Sequence, residues 1–502
     1  MERRLRSAKA SFALASVCVG VFTSVIFSIL LSTTLHAQNR YDVLRYVTTM
    51  PGSDAVSTAF GGATTAFAPS LGASIDNPAA MGMIKSSEFS FGVNNRRISE
   101  QTNFYQSDLS LLQGTLSLSD AGFIYVVPTV QGNMVFGGGY VRNTDFFRGH
   151  QIYGFNPDNT ITDSFSNSNS PYYDLAFRKA YFDFDDGDYS ILRFADFVGI
   201  NQDAEQTEAG QMGELNFYGA FEAAKNLFVG ASVSVPFGFY RYRRYWLEED
   251  IKGDYWGEFY ASYPNGDKFY DDVRDIYTVD EIDATIAGWY ARVGVVYKVQ
   301  PWLNVGASFR TRTTMAVREE YFSSLEMNFD NGDFVGPEQL EGNVSYRVKN
   351  PSRINVGAAI DNLNGFSLSG SAEYAAFSTA ELRFAKPNAD DVSYARAQNR
   401  EIQREFNDVW NLKLGAGYDV GLVTPMIGFA HYPAVSKDFG NDINIYSGGV
   451  QLKLNQELHV NIAGTYSRFD DVQTMYQTIN ESANANTTVQ RVQIVGGLVF
   501  KF

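Results

Sequence analysis

The chain has 502 residues and a formal net charge of −16, with 40 Lys+Arg against 56 Asp+Glu. Because nucleic acids are bound largely through positive charge on the protein, this balance argues against a nucleic-acid partner. The only cysteine is Cys18, near the N-terminus, so the rest of the chain has no disulfide, thiolate nucleophile or cysteine metal site.

The first 37 residues have the pattern of a secretory signal. Four basic residues precede position 10, residues 11–35 are uncharged and mostly apolar, and Ala37 is a small residue just before a polar start. We therefore predict a signal peptide at 1–37 that is cleaved after Ala37. The alternative is a retained membrane anchor, because the apolar run is long enough to span a bilayer.

Residues 38–86 show no strand rhythm. They contain two short motifs, Gly61-Gly62-Ala63 and Asn77-Pro78-Ala79. Glycine and other small residues allow close backbone packing, and the proline keeps the residue before it out of helical geometry. We predict a compact segment without strands that fills the lumen of a barrel.

The remaining chain, 87–502, reads as strands that alternate between apolar and polar residues. In the last one, Val492, Ile494 and Leu498 share a face that ends on the terminal Phe502. Such a strand at the chain end is typical of a closed membrane barrel. Fourteen strands are predicted, at 87–95, 115–127, 134–145, 212–222, 227–242, 282–298, 302–321, 343–360, 366–377, 409–419, 422–432, 443–454, 457–469 and 489–502.

The predicted connections alternate in length, which indicates the orientation of the barrel. Six short turns alternate with seven long stretches, at 96–114, 146–211, 243–281, 322–342, 378–408, 433–442 and 470–488. Outer-membrane barrels have short periplasmic turns and long extracellular loops. We therefore expect an all-β, 14-stranded antiparallel barrel in the bacterial outer membrane, with both mature termini in the periplasm.

On these features the chain resembles the long-chain fatty acid transporter family of outer-membrane proteins, the FadL and TodX-like barrels. In that family, a Gly-Gly-Ala stretch followed by an Asn-Pro-Ala motif forms an N-terminal hatch inside a 14-stranded barrel. The resemblance implies that Gly61, Gly62, Ala63, Asn77, Pro78 and Ala79 belong to a hatch at 38–86. It also implies passive uptake of hydrophobic molecules, such as long-chain fatty acids or aromatic hydrocarbons, by a monomer without a cofactor.

The carboxylate of a fatty acid would need a cation in the lumen. Alternation predicts that six cations point inward, namely Arg292, Arg310, Arg312, Arg353, Lys413 and Arg491, and the first five are the ligand candidates. Arg310 and Arg312 are the leading candidates, because arginine forms bidentate pairs with carboxylates. The alternative is that these charges pair with lumen acids such as Glu214 and Glu373.

The third predicted strand contains Gly137-Gly138-Gly139. Glycine within a strand marks a bend or a close approach. The run is either a kink beside an opening in the wall, as the resemblance implies, or room for a packed lumen side chain.

The remaining sequence features bear on whether the chain is an enzyme, a transporter or a protein-binding scaffold. No grouping of His, Ser and acidic residues suggests catalysis, so we expect no enzyme, no catalytic residue and no bound metal. The run 240–246 is rich in Tyr and Arg, and it suits either amphipathic ligands or the lipid and lipopolysaccharide around an interface girdle. The alternative to transport is a FadL-like barrel that acts as a protein-binding scaffold in a secretion system, like PorV.

Overall fold

The computed structural model describes residues 40–47, 52–130, 132–165, 172, 175, 199–252, 260–262, 268–270, 273–330, 332, 334–436, 441–478 and 482–502. The predicted signal peptide at 1–37 lies outside these residues. The α-helices are α1 (Arg40–Val47), α2 (Ala55–Ala59), α3 (Ala73–Asp76) and α4 (Ala389–Glu405), and short 3₁₀ helices cover Pro78–Met83, Ile161–Ser164 and Phe377–Thr379.

The strands are β1 (Glu88–Phe104), β2 (Ser107–Pro128), β3 (Asn133–Asp145), β4 (Arg148–Asn156), β5 (Ile200–Ala224), β6 (Leu227–Glu249), β7 (Tyr260–Ser262), β8 (Lys268–Tyr270), β9 (Val273–Gln300), β10 (Leu303–Arg310), β11 (Thr313–Phe329), β12 (Phe334–Asn350), β13 (Arg353–Leu363), β14 (Phe366–Ala376), β15 (Glu381–Phe384), β16 (Asp408–Tyr418), β17 (Val423–Tyr432), β18 (Ile443–Lys453), β19 (Leu458–Gln477) and β20 (Ser482–Lys501).

These strands form a closed antiparallel barrel, because β20 pairs with β19 on one side and with β1 on the other. Four barrel strands are interrupted and consist of two pieces each, β3 with β4, β10 with β11, β12 with β13, and β14 with β15. Counted in this way, the barrel has fourteen strands, and the predicted fold class is confirmed. The short pair β7 and β8 forms a separate two-stranded sheet.

The outer surface carries an apolar band. On β20, Ile494, Leu498 and Phe500 point outward and are about half exposed, whereas Val495 and Val499 point inward and are buried. An apolar outer face of this kind is what a lipid-facing barrel surface requires. None of the helices in the described ranges is long and apolar enough to cross a membrane.

Pairing between strands continues well beyond this band at one end of the barrel. We call this end the outer end, because it carries the long loops. The prediction of a loop at 96–114 is wrong, because β1 and β2 run on to a tight turn at 105–106. The loops predicted at 243–281, 322–342 and 470–488 are likewise shorter, since β6, β9, β11, β12, β19 and β20 extend into them, and α4 occupies much of 378–408. On β1 the outward side chains there are polar, for example Arg97, so the lipid-facing alternation stops in this strand while its inward residues stay buried.

The interior of the outer half is packed. One buried apolar cluster joins the side chains of Ile161 and Phe165 to the strand residues Trp246, Phe329 and Tyr476. A second cluster lies deeper and packs α1 against the inner faces of the surrounding strands. The barrel is therefore filled by its own chain over much of its outer half.

Candidate ligand site in the barrel lumen

Residues 52–86, which we call the lumen segment, pack against the inner wall, and the Gly-Gly-Ala motif meets β16 and β17. Gly61 and Gly62 have φ angles of +62° and +75°, a region that favours glycine. A β-carbon on Gly61 would lie 2.8 Å from the backbone nitrogen and oxygen of Phe429. From β14, the Ser369 hydroxyl donates to the carbonyl of Ala63 at 2.5 Å. The absence of side chains is what lets this motif approach the wall.

The Asn-Pro-Ala motif meets the opposite part of the wall. The Asn77 Nδ2 group donates to the carbonyl of Thr65 at 2.7 Å and to that of Val295 on β9 at 3.2 Å. Its Oδ1 atom accepts from the backbone N–H of Ala79 at 3.1 Å, which caps the 3₁₀ helix that starts at Pro78. Asn77 thus organises the turn and connects it to the barrel.

Two glycines of the wall make room for this turn. Gly230 on β6 and Gly294 on β9 are cross-strand partners. A β-carbon on Gly230 would lie 2.6 Å from the backbone nitrogen of Ala79, and one on Gly294 would collide with Asn77 Oδ1. Gly230 and Gly294 therefore form a flat patch on the wall, and the Asn-Pro-Ala turn packs against this patch.

A buried ion pair also joins the lumen segment to the wall. Lys413 Nζ on β16 lies 3.3 Å from Asp76 Oδ1, and both side chains are largely buried. The backbone carbonyl of Asp76 accepts from the Ser308 hydroxyl on β10 at 2.5 Å. Of the cations predicted to meet a ligand, Lys413 is thus paired with the lumen segment.

Three other predicted cations form a row across neighbouring strands. Arg310 pairs in register with Arg292 on one side and with Arg353 on the other, and all three are at least 94% buried. Like charges directly opposite each other in a sheet repel. The row therefore needs anions nearby.

The acids that the structure places here satisfy part of this need. Arg353 lies 2.9 Å from Glu373, which also accepts from the amide of Asn411 at 3.0 Å. Another nitrogen of Arg353 donates to the carbonyl of Val47 at the end of α1, at 2.7 Å. The nearby carboxylate of Glu214 instead accepts from the Tyr290 hydroxyl at 2.7 and 2.8 Å.

Arg310 and Arg292 keep donors unused. In the part of the chain that the structure describes, Nε and Nη2 of Arg310 and Nε and Nη1 of Arg292 have no hydrogen-bond partner. The Arg310 guanidinium lies 4.9 Å from the centre of the Tyr290 ring. Both arginines line a cavity shared with Glu373, Lys413 and the lumen segment. A carboxylate in this cavity would satisfy the open donors and relieve the repulsion in the row.

Arg312 lies elsewhere, and the prediction that it points into the lumen is wrong. Three residues separate Arg310 from Thr314, whereas only two separate their partners on β9, Arg292 and Trp289. The extra residue is a bulge, and it turns Arg312 outward. There Arg312 lies 3.4 Å from Glu381, with 42% of its side chain exposed.

The glycine run on β3 is regular. Gly137, Gly138 and Gly139 pair in register with both β2 and β5, and the first register shift comes between Arg142 and Thr144. A kink at the three glycines is therefore contradicted. A β-carbon on Gly137 would collide with the buried ring of Tyr218, so this glycine provides room for a packed side chain.

The third barrel strand is instead interrupted at 146–147. Beyond this point β4 pairs with β5, while the facing stretch of β2, residues 107–119, pairs with β1 alone. Phe146 turns inward onto Tyr46 and Tyr240, with ring centres 6.0 and 5.6 Å apart. The wall between β2 and β4 is thus not closed by backbone hydrogen bonds.

Helix α1 lies within the segment 38–86 that was predicted to fill the lumen, but the sequence patterns above did not predict a helix there. Val43, Tyr46 and Val47 are fully buried in the inner cluster. Their spacing, i, i+3 and i+4, is the signal that a helix with one apolar face leaves in a sequence. The carbonyl of Tyr46 accepts from Asn350 at 3.1 Å, so the end of α1 is fixed directly beside the arginine row.

Comparison with known proteins finds similarity in structure alone. No family model matches the chain, and no curated protein matches it. Among solved structures, a FadL homologue of Pseudomonas aeruginosa is 13% identical with a TM-score of 0.54, and the match covers 91% of this chain and 99% of that one. The toluene transporters TodX of P. putida and TbuX of Ralstonia pickettii are 13% and 17% identical, each with a TM-score of 0.51 and coverage of 90% and 99%. The chain therefore has the fold of these outer-membrane transport barrels.

Proposed function

We propose that this chain is an outer-membrane barrel through which hydrophobic small molecules cross passively, without catalysing a reaction. Its fold is similar to that of solved structures whose names describe toluene transporters and a FadL homologue. The outward apolar band supports placement in a membrane. Export through a cleaved signal at 1–37, periplasmic termini, a monomeric state and contact with lipopolysaccharide belong to this proposal.

The observation that carries the proposal is the row of buried arginines. Arg292 and Arg310 have unused donors in a cavity bordered by the lumen segment. Unpaired buried cations are costly, and a bound anion offsets that cost. We infer that the ligand is an amphiphile with a carboxylate head, and that its apolar tail distinguishes it from a simple ion.

We further propose that residues 38–86 act as the hatch. The lumen segment occupies the interior through small residues, a few hydrogen bonds and the Asp76–Lys413 pair. The hydrogen bonds are individually modest, and none of these contacts is covalent. A shift of this segment would connect the arginine cavity to the end with the short turns.

A scaffold for a protein partner is the second candidate. It is favoured by the filled outer half of the lumen, where apolar clusters and paired charges such as Arg148 with Glu100, at 2.9 Å, leave little open space. In a scaffold the same packing would present a rigid outer surface. The two functions differ in whether the purified protein binds a small amphiphile.

The test is a binding titration on purified protein, preceded by mass spectrometry for co-purified lipid. A fluorescent long-chain fatty acid should bind saturably, and Arg310→Gln should weaken its binding by about tenfold, as expected for one lost charge-assisted contact. Arg468→Gln, which changes an exposed arginine on β19, is the control and should bind normally. Absence of saturable binding, together with a protein recovered by cross-linking, would favour the scaffold instead.

A further inference from the structure

A row of outward apolar residues runs across the outer part of the lipid-facing band on one side of the barrel. Val293, Phe309, Ile354, Tyr374 and Trp410 are successive cross-strand partners on β9, β10, β13, β14 and β16. Four of them are 43–55% exposed, and the rings of Tyr374 and Trp410 lie 5.1 Å apart. Aromatic residues of this kind are typical of the membrane interface.

Further out on the same side lies a group of outward cations, Arg312, Arg347, Lys349 and Arg383, which we call the outer basic cluster. Lys349 pairs in register with Thr314, the partner of the exposed Trp289. Arg347 and Arg383 are direct cross-strand partners two residues further out. Trp289 is 64% exposed and lies four residues further out than Val293 on β9, so the apolar band reaches it. Two residues of strand span about 7 Å, so the cluster borders the outer edge of this band.

Acidic residues neutralise only part of this charge. Glu381 contacts three of the four cations, at 2.5 Å from Arg383, 3.4 Å from Arg312 and 3.5 Å from Lys349. Partial burial acts to raise the pKa of Glu381, but the hydrogen bond and charge of Arg383, with Lys349 and Arg312, hold that pKa below its usual value. Among the described residues Arg347 forms no ion pair, and it lies directly opposite another arginine.

A second group of outward arginines shows that this imbalance is local. Arg241 and Arg243 on β6 are matched by Asp283, at 3.2 and 2.6 Å, and Arg243 also lies 3.3 Å from Glu281. These two arginines thus carry no excess charge. The outer basic cluster does, on a chain whose net charge is −16.

We propose that the outer basic cluster binds the phosphate groups of the lipid A part of lipopolysaccharide. In the outer leaflet these phosphates lie directly above the acyl chains, and the cluster likewise lies just beyond the apolar band that ends at Trp289. Arginine side chains pair well with phosphate oxygens, and an anion between Arg347 and Arg383 would remove their repulsion. The inference rests on the proposed outer-membrane location, and it does not depend on what crosses the lumen.

The test compares variants of the full-length purified chain for binding of diphosphoryl lipid A. Arg347→Ala with Arg383→Ala should weaken binding by about tenfold, as expected for the loss of two surface charge contacts. The paired control, Arg241→Ala with Arg243→Ala, should change binding by less than about twofold. Arg347→Lys with Arg383→Lys should retain most of the binding, which separates charge from packing.

Further probes decide the source of the phosphate. The two probes are dephosphorylated lipid A and vesicles of phosphatidylglycerol. Each should bind the native chain only as weakly as diphosphoryl lipid A binds the double alanine variant. Equal binding by native and variant chains, equal binding of lipid A without phosphates, or full competition by millimolar inorganic phosphate would each overturn the proposal. A separate fatty-acid titration distinguishes its failure from failure of the transport function.

Discussion

The fit between Gly230 and the Asn-Pro-Ala turn provides a quantitative test of how firmly the lumen segment is held. A β-carbon at position 230 would lie 2.6 Å from the Ala79 nitrogen, whereas ordinary contacts begin near 3.4 Å. The obstructing atoms belong to the backbone of Pro78 and Ala79, which cannot rotate away. In Gly230→Ala the turn must therefore shift by about 1 Å, at a cost of about 2 kcal/mol.

This cost should appear as more frequent opening of the lumen segment. About 2 kcal/mol corresponds to roughly a 30-fold larger opening constant. Ala80 is fully buried in the 3₁₀ helix beside the turn, so Ala80→Cys in a Cys18→Ser background reports opening through its rate of maleimide labelling. We expect labelling to be roughly 30-fold faster when Gly230→Ala is added.

Gly497→Ala is the matched control, because it also replaces an inward glycine of the wall beside the lumen segment. Its β-carbon would meet Ala55 Cβ at an ordinary contact distance of 3.7 Å. It should leave the labelling rate within about twofold of the parent, while sharing any general effect of alanine in a strand. Equal labelling rates for the two alanine variants would refute the argument that the flat patch holds the turn.

Substitutions at three further positions test the packing around the arginine row and in the lumen segment. Arg353→Ala breaks the buried ion pair with Glu373, so denaturant unfolding in detergent should show a loss of about 3 kcal/mol, the low end for such pairs because Arg310 and Lys413 remain beside Glu373; Arg353→Lys should show a smaller loss, and an unchanged stability would contradict the role of the pair. Tyr46→Ala empties a fully buried ring site in the inner cluster and should cost about 3–5 kcal/mol in the same assay; no change would mean that α1 is not packed there. Asn77→Ala removes the cap and both carbonyl contacts, so labelling of Ala80→Cys should rise by about tenfold, and an unchanged rate would contradict the role assigned to Asn77.

Much of the architecture can be predicted from local patterns in the chain. A side-chain period of two, continued to Phe502, is enough to predict paired strands with one lipid-facing side, because every residue on that side must be apolar. The pattern ends where the outer surface becomes polar, as at Arg97, although β1 continues to pair up to Phe104. For this reason the sequence predicted the number of strands correctly and underestimated their length.

Part of the candidate site could be predicted from the sequence. Alternation placed Arg292, Arg310 and Arg353 inward, since each lies in a regularly paired stretch. Arg312 was misplaced because one extra residue in a bulge reverses the facing of the residues after it, and a bulge leaves no clear local signal.

The sequence by itself determined that the chain forms a barrel with a lipid-facing surface and that small-residue motifs precede it. Only the tertiary structure decided which partners meet, because the N-terminal residues in the lumen contact wall strands that are far away in the chain. Asp76 reaches Lys413, and α1 ends at Arg353, through contacts between residues separated by more than 300 positions. The outer basic cluster also depends on the tertiary structure, since register between β12 and β15 brings Arg347 opposite Arg383.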